Sequence, residues 1–431
     1  VLLNIFRSQK GVVIYMKKQI IALLLVLCMM PCSFAFAESN AGVSEITTNA
    51  SEPSDNVISN FDIVVSNILT TISSYYYAKD VSGSFDANAT LETDLAMYLA
   101  DKVSTQHHID NLYNLSKENF NIDVNLIDYT TSANSNIIIF EVQALATFNY
   151  VGLDFDTTVS DVVTVKYDIQ KQKIVDIYIP LDYYDEFVRP EHSTKNNLLA
   201  NTQIDNSEFE LTSSIISKQE ELHHDIDLKY NAFLSEEPVA NVPHVTRASS
   251  LNNTAVVNWA RSNFAKNQPS PGNSSVTYFD FSGIPGAYDC TNFVSHALLA
   301  GGAKINDTGG SGISSTGWYY RNINNRSSSW SGVDQFYRYM TTNTKANTAY
   351  GTSYVYSTNG GMWSLGSVLQ FDFEADGSFN HSTIITKREQ SDGRYYAYVT
   401  GRTGDNKYNN NQSVYSMNAQ ASPRVINVYN R

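Results

Sequence analysis

The sequence predicts an α+β protein made of two modules behind a short leader. Residues 61–190 show two helical patterns and then several β-rich runs, an order typical of helices packed on an antiparallel sheet. Near Asn252 the composition changes again, and a short helix opens a further region of helices and strands. The length of 431 residues allows two domains and a linker at about 150 residues per domain.

Residues 1–37 have the pattern of a signal peptide. The basic start Met16–Lys18 precedes the apolar run Ile20–Met30 and the small-residue signature Ala35–Ala37, so we expect Met16 to be the true start and cleavage near Ala37. The apolar run is too short for the roughly 20 residues that span a bilayer. The sequence therefore predicts a protein that is secreted, extracellular or associated with the cell wall, and that has no membrane span.

The charge balance argues against two classes of partner. The chain has 29 basic and 43 acidic residues, a net charge of −14, and the leader contains basic residues but no acids. Such a surface repels phosphate backbones and anionic lipids. We therefore expect neither nucleic-acid binding nor membrane-surface binding. Residues 38–60 are small and polar, which predicts a flexible linker.

The first module, residues 61–190, has a clear order of predicted elements. Apolar residues recur three and four apart from Phe61, and a second helical stretch covers about 90–116. The expected strands follow at Phe120–Ile127, Asn136–Tyr150, Val159–Ile169 and Lys173–Ile179. This order resembles the cystatin-like or nuclear-transport-factor-like cone in shape. The pair His107-His108 is expected to form only a solvated polar patch.

Residues 191–251 are predicted to contain a charged helix, within Glu208–Phe233, and then a proline-containing linker. The pair His223-His224 lies in this charged run and is expected to be solvated. The second module is placed at residues 252–431. It opens with a predicted helix around Ala255–Ala260.

Cys290 is the one cysteine that remains after the leader is removed, because Cys28 and Cys32 lie within it. A helical pattern begins at Cys290 and stops at Gly301-Gly302, and Asp289 is a preferred residue at the N-cap. The start of a helix stabilises a thiolate and lowers the pKa of a cysteine placed there. These features favour a nucleophile; a small buried packing residue is the alternative.

A nucleophilic thiol needs a base, and the second module contains His296 and His381. His296 lies six residues after Cys290 on the same helix, which puts it about 9 Å along the axis and on the far side. His381 begins a strand-like run after a turn, where it could face a helix start across a cleft. A surface histidine is the alternative for His381.

Several ordered motifs make the second module similar to a known family. They are listed here in chain order: Asp289-Cys290-Thr291-Asn292-Phe293-Val294-Ser295, Ala300-Gly301-Gly302, Gly317-Trp318-Tyr319-Tyr320, Ser328-Ser329-Trp330, Gly366-Ser367-Val368-Leu369-Gln370-Phe371-Asp372 and Asn380-His381-Ser382-Thr383-Ile384-Ile385-Thr386-Lys387. Together they resemble the "putative amidase domain" of secreted bacterial proteins, which is related to the papain-like NlpC/P60 cell-wall hydrolases. The resemblance covers residues 252–431.

The resemblance implies a papain-like fold with Cys290 as nucleophile and His381 as base. Asp289, Thr291 and Asn292 would cap the helix and shape the cleft. The position expected to orient the base holds Arg402, whose guanidinium cannot accept a hydrogen bond. Asp405, Asn406 or a backbone carbonyl is left for that role, and Asp405 is the candidate we name.

Two further features of the second module leave alternatives open. Ser367 also departs from the family pattern, in the Gly-Asp-Val-like string before the histidine strand. The aromatic residues Trp318, Tyr319, Tyr320, Trp330, Phe336 and Tyr337 could line a groove or fill the core.

We therefore expect a secreted cysteine-dependent amide hydrolase that acts on bacterial cell-wall peptide amides. One alternative is a general extracellular cysteine peptidase, and another is a non-catalytic binding or adhesion protein with a degenerate papain-like domain. The sequence indicates no cofactor and no metal site. It leaves the oligomeric state open, and a first module that is separable from the thiol site is expected.

Overall fold

The computed structural model describes residues 60–85, 89–131, 136–192, 208–236, 251–266, 278, 281, 289–358, 363–404 and 406–431. The predicted signal peptide, with Met16 and Ala37, and nearly all of the predicted linker 38–60 lie outside the described residues. None of the helices in the described ranges is both long and apolar enough to cross a membrane.

Two long helices and an antiparallel meander form most of the first module, as the sequence predicts, and a short third helix follows them. Its elements are α1 (Phe61–Tyr77), α2 (Thr93–Leu112), β1 (Lys117–Thr131), β2 (Ile137–Tyr150), β3 (Asp156–Asp168), β4 (Lys173–Tyr178) and α3 (Tyr183–Val188). Helix α1 buries Val65, Ile68 and Ile72 at helical spacing. Strand β2 alternates between buried and less buried residues along most of its length.

The charged helix predicted between the modules is α4 (Ser213–Ser235). One histidine of each pair has a carboxylate partner, in addition to its contact with solvent. His223 Nε2 lies 3.3 Å from Asp101 Oδ2, and His108 Nε2 lies 2.7 Å from Asp227 Oδ1. Both pairs join α2 to α4, because the two helices pack side by side.

The second module contains five helices and nine strands among the described residues. They are α5 (Asn253–Asn263), α6 (Cys290–Ala300), β5 (Ile313–Ser314), β6 (Tyr320–Asn322), β7 (Asn325–Ser327), α7 (Ser328–Ser331), α8 (Val333–Thr342), β8 (Ala349–Val355), β9 (Val368–Phe371), β10 (His381–Ser391), β11 (Arg394–Gly404), β12 (Lys407–Ser413), α9 (Val414–Met417) and β13 (Arg424–Asn430). The predicted α+β class is confirmed. The papain-like, cystatin-like and nuclear-transport-factor-like assignments stay predictions.

One sheet runs through both modules. Its strand order is β1-β2-β3-β12-β11-β10-β9-β13-β8, and β4 also pairs with β3. At the junction, β12 pairs antiparallel with β3 through Tyr408 opposite Ser160 and Asn409 opposite Val159. Side chains support this junction, since Thr157 Oγ1 donates to the Asn411 carbonyl at 3.1 Å.

The two faces of the sheet carry different cores. On β10, Ile385 belongs to a core that also contains Val163 of β3 and Val399 of β11, beneath α1, α2 and α4. The adjacent Ile384 belongs to a second core with Phe293 of α6, because successive strand residues point to opposite faces. The first core therefore includes residues of both modules, which is at odds with the expectation of a freely separable first module. The limits at 190 and 252 stay predictions.

The sequence left open whether six aromatic residues of the second module line a groove or fill the core. Most of them belong to the core. Trp318, Tyr319, Tyr320, Trp330 and Phe336 are buried, whereas Tyr337 is partly buried. Trp318 and Trp330 pack against each other at 5.0 Å between ring centroids. They fill the interior beside α6 and do not line an open groove.

Candidate active site

Cys290 is the first residue of α6, as the sequence predicts. The helix ends at Ala300, and Gly302 adopts a left-handed conformation with φ 90°, which favours glycine. Cys290 is only 2% exposed. The backbone N–H of a residue at the start of a helix has no acceptor within the helix, so this amide can serve a ligand.

Asp289 does not cap the helix with its side chain, contrary to expectation. Its carboxylate instead accepts from Arg402 Nε at 3.1 Å, Asn292 Nδ2 at 2.8 Å and the backbone N–H of Phe281 at 3.1 Å, and also from the Tyr278 hydroxyl. Both Asp289 and Arg402 are fully buried. Leaving the buried Asp289 carboxylate without a cation would cost more free energy than leaving a helix amide without a side-chain cap.

Arg402 therefore has a role that the sequence did not predict. Its side chain turns to Asp289, and its Nη1 also donates to the carbonyl of Phe264 at 3.1 Å. The backbone N–H of Asp289 donates to the Thr403 carbonyl at 3.1 Å. Arg402 thus fixes the start of α6 to the end of β11. Its guanidinium is paired with the Asp289 carboxylate.

Thr291 and Asn292, predicted to shape the cleft, are both buried and hold α6 in place. The Thr291 hydroxyl lies 3.0 Å from the Ser382 hydroxyl on β10 and 3.8 Å from Cys290 Sγ. Asn292 Oδ1 accepts from Trp330 Nε1 at 2.8 Å. These bonds attach the first turn of α6 to β10 and α7.

His381 is the first residue of β10, where the sequence predicted a strand to begin. It pairs with Phe371 of β9, and its ring stacks on Phe373 with centroids 5.7 Å apart. The hydroxyl of the next residue, Ser382, lies 3.0 Å from the hydroxyl of Thr291, which follows Cys290 on α6. The structure therefore brings the start of α6 to the start of β10.

The two candidate catalytic groups do not hydrogen-bond each other within the described residues. Nδ1 of His381 is buried and finds no hydrogen-bond partner there. His381 is only 4% exposed. Asp405, the residue proposed to orient it, lies outside the described residues.

Burial shifts the pKa values of Cys290 and His381 so that both groups are uncharged at neutral pH. It raises the pKa of the Cys290 thiol, and hydrogen bonds from the Ser382 backbone and the Thr291 hydroxyl offset this only in part. The expected lowering of this pKa is wrong for this state, because desolvation outweighs the helix start. Burial and the Lys407 ammonium lower the pKa of His381 to about 3. At neutral pH the site therefore holds a thiol and an uncharged imidazole.

A cavity of about 80 Å³ adjoins His381. Residues of both modules line it: Phe373, Thr403 and Lys407 come from the second, and Tyr76, Lys79, Asp161 and Asp182 come from the first. Sequence reasoning missed these residues of the first module, because they belong to no motif. The β3–β12 junction and the core shared by the two modules bring them to His381.

His296 lies elsewhere, in an aromatic enclosure. Its ring stacks on Trp259 at 6.0 Å and meets the edge of Trp330 at 5.1 Å. Among the described residues, no group of three or more histidine, cysteine, aspartate or glutamate side chains is arranged to hold a metal ion.

Comparison with known proteins identifies the second module in general terms. Residues 250–426 match the model of a family described as "Putative amidase domain". Residues 250–426 are therefore called the amidase-like domain below. The match includes α5, Cys290 and His381, and it ends within β13.

A relative with a curated sequence shares a shorter segment. The uncharacterized protein YhbB of Bacillus subtilis (strain 168) is 31% identical over 102 residues, which cover 24% of this chain and 30% of the relative. This chain thus spans less than a third of that relative. No solved structure matches the chain.

Proposed function

We propose that the protein is a secreted cysteine-dependent amide hydrolase, with Cys290 as nucleophile and His381 as base. The observation that carries the proposal is the contact between the start of α6 and the start of β10, where the Thr291 hydroxyl lies 3.0 Å from the Ser382 hydroxyl. The match of residues 250–426 to an amidase-like domain supports a hydrolase in general.

The uncharged pair suits a proton transfer that accompanies attack. As the Cys290 sulfur bonds to the amide carbonyl carbon, the imidazole of His381 takes the thiol proton. The backbone N–H of Cys290 would donate to the developing oxyanion. The C–N bond then breaks, His381 returns the proton to the leaving amine, and water hydrolyses the thioester.

The proposed substrates are peptide amides of the bacterial cell wall. This choice rests on the resemblance of the second module to secreted cell-wall hydrolases and on the signal-peptide pattern of residues 1–37. A general extracellular cysteine peptidase is the neighbouring candidate, and Asp405 stays the proposed residue that orients His381.

A non-catalytic binding protein is a second candidate function. The burial of the thiol favours this candidate, since Cys290 is 2% exposed and burial raises its pKa. In that case the fold would keep Cys290 as a small buried residue.

Thiol labelling distinguishes the two candidates. The rate of iodoacetamide reaction at Cys290 is measured at pH 7 in the wild type, in His381→Ala and in His108→Ala, whose histidine is exposed. In a hydrolase, His381 takes the thiol proton, so His381→Ala alone should slow the reaction of the buried thiol. A labelling rate that is the same in the wild type and in His381→Ala would instead support the binding protein.

The substrate is then identified by its products. The mature chain and Cys290→Ala are incubated with peptidoglycan fragments and with unrelated peptides, and the products are weighed by mass spectrometry. Cleavage of cell-wall fragments that needs Cys290 supports the proposal. Cleavage of unrelated peptides alone would assign a general peptidase.

A further inference from the structure

A chain of hydrogen-bonding side chains leads to the Cys290 sulfur. Thr291 Oγ1 lies 3.8 Å from Cys290 Sγ and 3.0 Å from Ser382 Oγ. Ser382 Oγ in turn lies 3.0 Å from the amide nitrogen Nε2 of Gln370. All four side chains are buried, so solvent competes little for these bonds.

The place of Gln370 in the sheet explains why it reaches Ser382. Strand β9 lies between β10 and β13, and Gln370 is paired with Ser382 on one side and with Arg424 on the other. Directly opposite residues of antiparallel strands carry their side chains on the same face. The Gln370 amide therefore lies between a hydroxyl and a guanidinium.

Two further partners fix which way the Gln370 amide faces. Its Oε1 accepts from Arg424 Nε at 2.7 Å, and a guanidinium has only donors. Its Nε2 also donates to the Val333 carbonyl at 3.1 Å, which can only accept. An amide turned over would set donor against donor and acceptor against acceptor, so the NH₂ group faces Ser382.

This orientation sets the direction of the whole chain. Ser382 Oγ accepts from Gln370, so its own hydrogen goes to Thr291 Oγ1, the other partner of its side chain among the described residues. The hydrogen of Thr291 is then left for its second partner, the sulfur of Cys290. Each hydroxyl has a single hydrogen, and the direction chosen at Gln370 therefore reaches the sulfur.

We propose that Gln370 is a positioning residue for Cys290, because it directs the chain so that the Thr291 hydroxyl donates its hydrogen to the sulfur. A donated hydrogen bond stabilises a thiolate relative to a thiol. It also leaves the thiol proton free for a base. As a role in catalysis this inference rests on the proposed function, whereas the direction of the bond does not.

The pKa of Cys290 agrees with this direction. Burial raises the pKa of the thiol, and the hydrogen bond from the Thr291 side chain acts against that rise. The nearby Asp289 charge raises the pKa further, and that carboxylate is paired with Arg402. The Thr291 hydroxyl is therefore one of the few groups that favour the thiolate.

The sign of a single change tests the direction of the bond. Thr291→Val removes the hydroxyl at nearly constant side-chain size. Loss of a donated bond raises the pKa of Cys290 by about one unit, so iodoacetamide labelling at pH 8 should slow about tenfold. Loss of an accepted bond would lower the pKa and speed the reaction. Thr291→Ser keeps the hydroxyl and should label like the wild type.

Thr383→Val is the matched control. It removes a buried hydroxyl of β10 that donates to the Leu369 carbonyl and has no contact with the sulfur. A fold loosened by the loss of a buried hydroxyl would expose Cys290 and speed its labelling in both variants. Labelling of Thr291→Val that is as fast as that of Thr383→Val, or faster, would overturn the proposal. The Asp289–Arg402 pair and His381 are unchanged in these variants.

Gln370→Glu tests where the direction originates. Arg424 keeps the new carboxylate ionised, and a carboxylate only accepts. Ser382 would then turn its hydrogen to position 370, and Thr291 would donate to Ser382 instead of the sulfur. We expect labelling at pH 8 to slow about tenfold, as in Thr291→Val.

A double variant separates this effect from the added charge. The field of a carboxylate at position 370 would act on the sulfur whether or not Thr291 keeps its hydroxyl. Gln370→Glu/Thr291→Val should therefore label no more slowly than Thr291→Val alone. A further tenfold loss in the double variant would overturn the role of Gln370. If Gln370→Glu does not fold, the two threonine variants still decide the direction.

The chain and the hydrolase can fail separately. Slower labelling in Thr291→Val without any effect of His381→Ala would keep the direction of the bond and remove the proposed base. Slower labelling in His381→Ala without any effect of Thr291→Val would keep the proposed pair and remove the role of Gln370.

Discussion

Cys290 and His381 lie near each other in the fold, but different parts of the chain surround them. Around Cys290, the Asp289–Arg402 pair and the Thr291–Ser382 contact fix the helix start from within the amidase-like domain. Around His381, an open cavity separates the ring from charges of the first module. Cys290 is therefore held by residues of its own domain, whereas His381 lies beside a cavity that residues of the first module also line.

Removal of the first module tests this difference most strongly. Deleting residues 38–190 would uncover the β3-facing edge of β12 and the apolar residues of the shared core. We expect the remaining chain to lose its cooperative thermal transition, followed by circular dichroism. A truncated chain that unfolds cooperatively near the wild-type temperature would show that the amidase-like domain is independent after all.

On the Cys290 side, Arg402→Met should have the next largest effect. It leaves the buried Asp289 carboxylate without its cation, which costs about 3–5 kcal/mol of the free energy of unfolding. Urea denaturation measures this. The double variant Asp289→Asn/Arg402→Met should lose less than Arg402→Met alone, and an equal loss would mean that the unpaired carboxylate is not the cause.

On the His381 side, the response should depend on pH. The pKa of His381 is lowered to about 3 in the folded protein, against about 6.5 when unfolded. The neutral ring thus stabilises the fold above pH 6.5, and this contribution is lost as the pH falls from 6.5 towards 3.

Urea denaturation at several pH values checks this dependence. The wild type should lose up to about 4 kcal/mol more than His381→Gln over that range. Parallel pH profiles of the two proteins would show that the ring is not held neutral by the fold.

The smallest effect is expected far from both groups, between α2 and α4. Hydrogen bonding to Asp101 raises the pKa of His223, so its stabilisation is full below pH 6.5 and is lost as the pH rises through the folded value. His223→Ala should cost about 0.5 kcal/mol at pH 5.5 and less at pH 8.5. His224→Ala is the exposed control; a matching loss in that variant would rule out the Asp101 pair as the cause.

Local patterns predicted much of the scaffold. The periodicity of residues 61–77 and the alternation of 137–150 mark α1 and β2, because one face of each element is buried. The string around Cys290 places a helix start there, since the apolar spacing begins at that residue and ends at Gly301-Gly302. The strand at His381 follows from its β-rich run.

Electrostatic roles were not predictable in the same way. Arg402 and Asp289 are 113 positions apart in the chain and meet only when β11 lies beside α6. The predicted helix cap at Asp289 is wrong for this reason. The sign of the Cys290 pKa shift also depends on burial, which a local motif does not specify.

The sequence by itself determined the α+β class, the order of the main elements, and a cysteine and a histidine at the starts of a helix and a strand. Only the tertiary structure decided that β3 joins β12 and so brings Lys79 and Asp161 to the cavity beside His381. Periodicity is local and survives in the sequence, whereas burial and charge pairing depend on which distant segments pack together.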